Sequence, residues 1–196
     1  MSNKNSKIGC LLITHFGVKS EINKNPELSD NEVILYSRES SKLPVVEDFS
    51  KTIKNISKGI PLSSALSRYP DSVRFEFDRK NYEQIFASVI SNIARITPKI
   101  ERSNLGIIYI NMHGLSEMYG GEAKLVTHIL DSIPYFLEPR FGISVNKFSA
   151  YTAAFSSTPG GSTKILKNID SFLATFSVDI LPVKRSTIIN FHKFGM

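Results

Sequence analysis

The stretch that decides the fold is NLGIIYINMHGLSEMYGGE, Asn104 to Glu122. LGIIYINM, Leu105 to Met112, reads as a strand that is apolar on both faces, the pattern of a strand inside a sheet with cover on each side. Gly114 stops it, Gly120 and Gly121 turn the chain, and a helical pattern starts behind them. A central strand bounded in this way is a common seat for catalytic acids. Yet between Ser103 and Leu115 there is no carboxylate.

Outward from this centre, KIGCLLITHF reads as a buried strand over Ile8 to Thr14, followed by a short helix through Glu21. KNPELSDNE is a turn and VILYS a second strand. From Val46 to Tyr69 the pattern is helical, broken at Gly59 and Pro61, with Pro61 suited to a first helical turn. SVRFEF alternates with the period of a half-buried strand. Asp78 is a good N-cap, and Tyr82, Ile85, Phe86, Val89, Ile90 and Ile93 behind it make one apolar helical face. PKIE is a strand, Gly121–Ser132 a helix, Phe141–Ser144 a strand and Asn146–Phe155 a helix. The order implies an α+β fold, a split βαβ sheet with helices on one face and a small insertion. The final STIINFHKFGM ends within a helical pattern, which implies a piece of a longer protein.

A chain of 196 residues, 41% hydrophobic, buries a core sufficient for one domain, or one domain with a small subdomain. Its formal charge of +6 permits a polyanionic partner without requiring one. Cys10, the single cysteine, excludes a disulfide framework and a cysteine zinc site, and its apolar surroundings place it in the core. The polar start MSNKNSK and the short apolar run behind it make neither a membrane span nor a signal peptide, so a cytoplasmic location is expected. PGGSTK lacks the spacing of a phosphate loop and reads as a turn. Of the four histidines, His15 and His113 each end a strand and are the pair able to meet, though without the spacing of a zinc helix. Basic residues are dispersed: Lys51, Lys54 and Lys58 share one helical face in this reading, and Lys147, Lys164, Lys167, Lys184 and Arg185 recur near loops, where they suit either solvent or phosphate backbone.

Several segments, taken in order, resemble the Y-family (UmuC/DinB-type) DNA polymerase core, most closely its ImuB-like branch. They are CLLITHFGVKSEINKNPELSDNEVILYSR, KGIPLSSALSRYPD, LGIIYINMHGLSEMYGGEAKL, FGISVNKFSAYTAA with TPGG, FLATFSVDILPV and FHKFG. The resemblance is colinear from about Cys10 to the C-terminus. It implies a ferredoxin-like palm from residues 1–18 and 78–165, a fingers-like insertion over 19–77, and the start of a thumb over 166–196.

Active members of that family hold two magnesium ions on clustered carboxylates. Carried over by resemblance, the acid positions fall on Leu12, Thr14, Gly106 and Ile107, none of them acidic. The triphosphate-holding positions fall on Phe49, Thr52 and Thr158, and the aromatic that screens the sugar on Phe16 or Gly17. The resemblance therefore implies a non-catalytic adaptor in translesion synthesis and damage-induced mutagenesis, with no cofactor. Its implied partners are the replication clamp, a DnaE-type error-prone polymerase and an ImuA-type protein. DNA contact would be weak and would run through Lys51, Lys54, Lys58, Lys147, Lys164 and Lys167. Two alternatives stay open: a module that reads primer-template backbone, and a polymerase whose magnesium ligands lie elsewhere, Glu101 and Glu122 being nearest.

Overall fold

The computed structural model describes residues 7–38, 43–181, 183 and 185–195; the polar start before Lys7 and Lys184 of the basic set lie outside them. The first half of the chain runs β1 (Ile8–Leu12), α1 (Phe16–Lys24), β2 (Val33–Ser37), β3 (Val45–Phe49), α2 (Leu62–Leu66), β4 (Val73–Glu76), α3 (Arg79–Ile96). It continues with β5 (Ile100–Arg102), β6 (Ile107–Asn111), α4 (Leu115–Met118), α5 (Glu122–Asp131), β7 (Arg140–Ser144), α6 (Lys147–Ser156), β8 (Ser162–Lys164), α7 (Ile169–Leu173) and α8 (Arg185–Lys193).

β1 is the middle of a five-stranded sheet, order β5-β6-β1-β7-β8, and is antiparallel to both of its neighbours. Its alternation sends Leu11 to one face and Cys10 and Leu12 to the other. On the first face Leu11, Ile108, Ile110, Phe141 and Ile143 pack with Phe86, Val89 and Ile93 of α3 and Leu125 and Ile129 of α5. α3 forms where its apolar spacing places it. The Asp78 carboxylate accepts from Asn81 N at 3.1 Å, and the extended Thr97 ends the helix.

The second face is covered as well. Cys10 and Leu12 pack on Ala150 and Ala154 of α6. Burial pushes the Cys10 thiol up to about 12, in keeping with its reading as a core residue. The expected α+β class stands, and helices on one face describes α3 and α5; α6 lies across the other. Gly142 permits that close approach, because a Cβ there would stand 2.1 Å from Ala150 O and 2.2 Å from Ala154 N. The alanine-rich sequence of α6 supplies the matching small side chains.

A three-stranded sheet, order β3-β2-β4, holds a second core of Ile34, Val46, Ile53, Leu62 and Ala65. Here the helical reading of Val46 to Tyr69 is corrected. Val45–Phe49 is a strand antiparallel to β2, and only the five residues of α2 are helical. Val46 N donates to Ile60 O at 2.9 Å and Val45 bridges Pro61, so long-range pairing overrides a local pattern. Lys51, Lys54 and Lys58 consequently lie on the turn between β3 and α2 and share no helical face.

Gly142→Ala is expected to destabilise the protein by about 2–3 kcal/mol, since the methyl meets backbone atoms that cannot rotate away. Urea unfolding of the variant beside the parent measures it.

Candidate functional site

The four positions that resemblance marks as acid sites come together. Leu12 pairs with Ile107 across the sheet, Ile13 N donates to Gly106 O at 2.8 Å, and Thr14 follows at once. Leu12, Thr14 and Ile107 line one cleft of about 560 Å³, shared with Asn104, Tyr151 and Phe155. Leu12 is buried against α6, and Thr14 contributes the one side-chain oxygen among the four. Gly106 has φ +82, and a Cβ on it would stand 2.4 Å from Ile13 O. Both facts demand glycine, so no acidic side chain fits there without movement of the backbone.

The same cleft contains a charged group that inspection of the sequence missed. Asp48, on β3, is 1% exposed. Its Oδ2 accepts from Gly17 N at 3.0 Å and Val18 N at 3.3 Å, the first turn of α1. His15 precedes that helix at φ 51 and gives it no side-chain cap, so a carboxylate from another strand completes the helix start. Asp48 Oδ1 lies 3.1 Å from Lys58 Nζ and 3.4 Å from His15 Nδ1, as ion-pair contacts rather than aligned hydrogen bonds. Burial alone would push this carboxyl up; the His15 ring and the Lys58 ammonium outweigh it and hold it below the usual carboxylate range. A signal was available in VVEDF. Once read as a strand, it puts Asp48 on the same face as buried Val46.

The positions expected to hold nucleotide are not drawn into a comparable set. Phe49 packs edge-on against the His15 ring, with centroids 5.5 Å apart. Thr52 lines a separate cleft, and Thr158 sits in the turn before Gly161, whose N–H its carbonyl accepts at 2.9 Å. Phe16 is buried edge-on to Phe86, and at Gly17 a Cβ would meet Leu35 Cδ1 at 2.7 Å. Neither residue therefore projects a free aromatic ring into the cleft.

The basic residues do not form one stripe. Lys147 binds Glu101 at 2.6 Å, Lys164 binds Glu122, and Lys58 binds Asp48. Lys51 stands 3.8 Å from Glu138, Lys54 Nζ donates to Lys51 O at 2.8 Å, and Lys167 is exposed. Glu122 also takes Lys7 at 2.6 Å, so both glutamates considered as alternative metal ligands are held by lysines. His15 and His113 do not meet. Because β1 and β6 are antiparallel, the residues that follow them lie at opposite ends of the sheet.

Asp48→Ala strips Lys58 and the α1 N–H groups of their acceptor and is expected to cost about 3 kcal/mol at neutral pH, the scale of a broken buried pair. The folded carboxyl titrates below its unfolded value. Its contribution is therefore complete above about pH 4 and fades as pH falls through the folded-state value. Unfolding curves of parent and variant should converge in acid.

Comparison with known proteins gives these parts a context. The model of the impB/mucB/samB family matches residues 11–154. DNA polymerase IV of Caulobacter vibrioides is 25% identical over 202 aligned positions, covering 97% of this chain and 49% of that protein. Among solved structures, DinB from Sulfolobus solfataricus superimposes with a TM-score of 0.77 at 17% identity, over 96% of this chain and 57% of that one. An insertion ternary complex of Dbh DNA polymerase gives 0.73 at 16% identity, over 97% and 58%. The chain thus spans about half the length of the curated relative it matches. Among the described residues, no helix is long and apolar enough to cross a membrane.

These matches correct the expectation of no cofactor. The relatives are DNA polymerases, a class that works with divalent metal ions, so Mg²⁺ is the cofactor the family implies. Magnesium keeps several waters and takes only one or two carboxylates beside substrate phosphates. At Leu12, Thr14, Gly106 and Ile107 the side chains, hydrocarbon and one hydroxyl, do not fit that ion. Among the described residues, no group of three or more His, Cys, Asp and Glu is arranged for a metal. With its match over residues 11–154, the chain belongs to the impB/mucB/samB family, the UmuC/DinB-type group of Y-family, translesion-synthesis polymerases.

Proposed function

We propose that this chain is an ImuB-like, non-catalytic member of its family that serves translesion synthesis and damage-induced mutagenesis as a cytoplasmic adaptor. The observation that carries this reading is the meeting of Leu12, Thr14 and Ile107 at one strand end, beside a Gly106 that admits no side chain. Nucleotide addition needs hard oxygen donors at the reacting phosphates. That place offers hydrocarbon and one hydroxyl.

In this reading the palm comprises residues 1–18 and 78–165, the fingers 19–77 and the thumb begins at 166. The five-stranded and three-stranded sheets fall on either side of those limits, which supports them. The partners are the replication clamp, a DnaE-type polymerase and an ImuA-type protein, and protein contact is the main task. DNA is held weakly, by phosphate contacts of Lys51, Lys54, Lys58, Lys147, Lys164 and Lys167. Three of these lysines already face Asp48, Glu101 and Glu122, which leaves few charges for counterion release.

Primer extension by homogeneous protein, with Mg²⁺ and then Mn²⁺, tests the non-catalytic half. No template-directed incorporation is expected with either ion, and incorporation with either one overturns the reading. A salt titration of binding to primed DNA is expected to show weak affinity with a log–log slope of about −2, two or three phosphates' worth. A far steeper slope would make DNA binding the principal function.

A further inference from the structure

The start of α1 has the make-up of an anion seat. The helix runs nine residues from Phe16, and Lys19 N–H donates to His15 O at 2.9 Å, one turn back. The N–H groups before Lys19 look out of the helix end, where the peptide dipoles favour negative charge. The Lys58 ammonium and the His15 ring stand at the same place. His15, Gly17 and Lys58 all line the cleft of about 560 Å³, so the seat borders space that a small solute can enter.

Its occupant is internal. Asp48 arrives from β3, in the other sheet, and is buried. Its Oδ2 alone takes both helix N–H groups, on Gly17 and Val18. Oδ1 lies 3.1 Å from Lys58 Nζ and 3.4 Å from His15 Nδ1, yet it has no aligned hydrogen bond among the described residues, and neither has His15 Nδ1. The donors therefore outnumber those that a carboxylate held on a strand by one methylene can align. Burial opposes the charge of this group, and the His15 ring and Lys58 ammonium overcome burial, so the seat is filled by a true anion.

An ordinary helix cap is a neighbouring side chain that serves one or two N–H groups and needs no cation. Here a buried carboxylate, 30 residues away in sequence from Val18, enters a seat with more donors than it uses. A free oxyanion with its oxygens spread in three dimensions would match the same donors more fully.

We propose that Asp48 is a built-in anion that closes this seat: its carboxylate stands where an external oxyanion such as phosphate would bind, and the contact is autoinhibitory. Without the carboxylate, the Gly17 and Val18 N–H groups, Lys58 and His15 form an open site at the edge of the cleft. Closure of the seat deepens the non-catalytic reading, which stands on metal ligands. Anion binding alone reads it, and primer extension bears only on the metal.

Asp48→Ala and Asp48→Ser remove the carboxylate and leave the donors. Urea unfolding at neutral pH, in sodium phosphate against sodium chloride of equal ionic strength, reads occupancy through stability. Both variants should gain stability saturably with phosphate, beyond the general effect of that salt on the parent. Formate, close in size to the lost group, should do the same more weakly. In amide NMR spectra the Gly17 and Val18 signals should shift with phosphate in the variants and stay still in the parent. Asp48→Asn, which keeps an acceptor in the seat, should take up no anion. Adding Lys58→Met to Asp48→Ala should weaken phosphate about tenfold, the value of one charge-assisted contact. Asp48→Ser retains a hydroxyl for the helix start and reports if Asp48→Ala fails to fold. Stability lost with no anion-dependent recovery, equal amide shifts in the parent, or indifference to Lys58→Met makes Asp48 a structural cap only and overturns the proposal.

Discussion

Hydrogen bonding along both edges of β1, together with burial of both its faces, fixes the position of everything chemically distinctive in this molecule. Register with β6 sets Leu12 opposite Ile107, and register with β7 sets Cys10 opposite Gly142. The second pairing determines how closely α6 can lie, because only a residue without a side chain lets the Ala150 carbonyl and Ala154 N–H come so near. Once α6 is seated, Tyr151 and Phe155 form a wall of the cleft at the strand end. A shift of one residue in either pairing would exchange the two faces of β1 and undo both cores.

The two sheets are tied together by apolar packing, with Val33 and Leu35 of β2 in the core of the larger sheet, and by a buried charge. Asp48 leaves β3, satisfies the first turn of α1 and gathers Lys58 and His15 around itself. A helix start normally takes its cap from the residue just before it. Here that residue is a histidine in left-handed conformation, and the cap arrives from 30 residues away. The consequence is mechanical as well as electrostatic: beside the shared apolar core, a buried carboxylate on β3 fixes the start of α1. It lines the cleft on the Leu12 side, while a second cleft opens on the Lys19 side.

Much of this was legible in the sequence, and the gaps have physical causes. α3 could be read because its burial pattern repeats every turn and Asp78 caps it; β2 matched VILYS residue for residue. The convergence of Leu12, Thr14, Gly106 and Ile107 followed from resemblance, and strand pairing places them side by side. The region from Val46 to Tyr69 defeated local reading because its structure rests on pairing with β2 and on hydrogen bonds from Val46 to the segment around Gly59 and Ile60. That error hid Asp48, since a carboxylate in a presumed helix is an ordinary surface residue. The possible meeting of His15 and His113 failed for a related reason: each follows a strand, but strand direction is a property of the sheet and not of either segment.

The Leu12–Ile107 strand end shows packing and chemistry in direct conflict. An acid at Leu12 would place a charge against Ala150 and Ala154, the apolar contacts that Leu12 makes with α6. An acid at Gly106 would require a left-handed backbone and a Cβ overlapping the Ile13 carbonyl. Ile107, half-buried beside Cys10 and Leu12, belongs to the same apolar cluster. These residues support one another: the close seat of α6 favours hydrocarbon at Leu12, and the turn into β6 favours glycine at its head. A carboxylate at Gly106 would therefore strain the backbone.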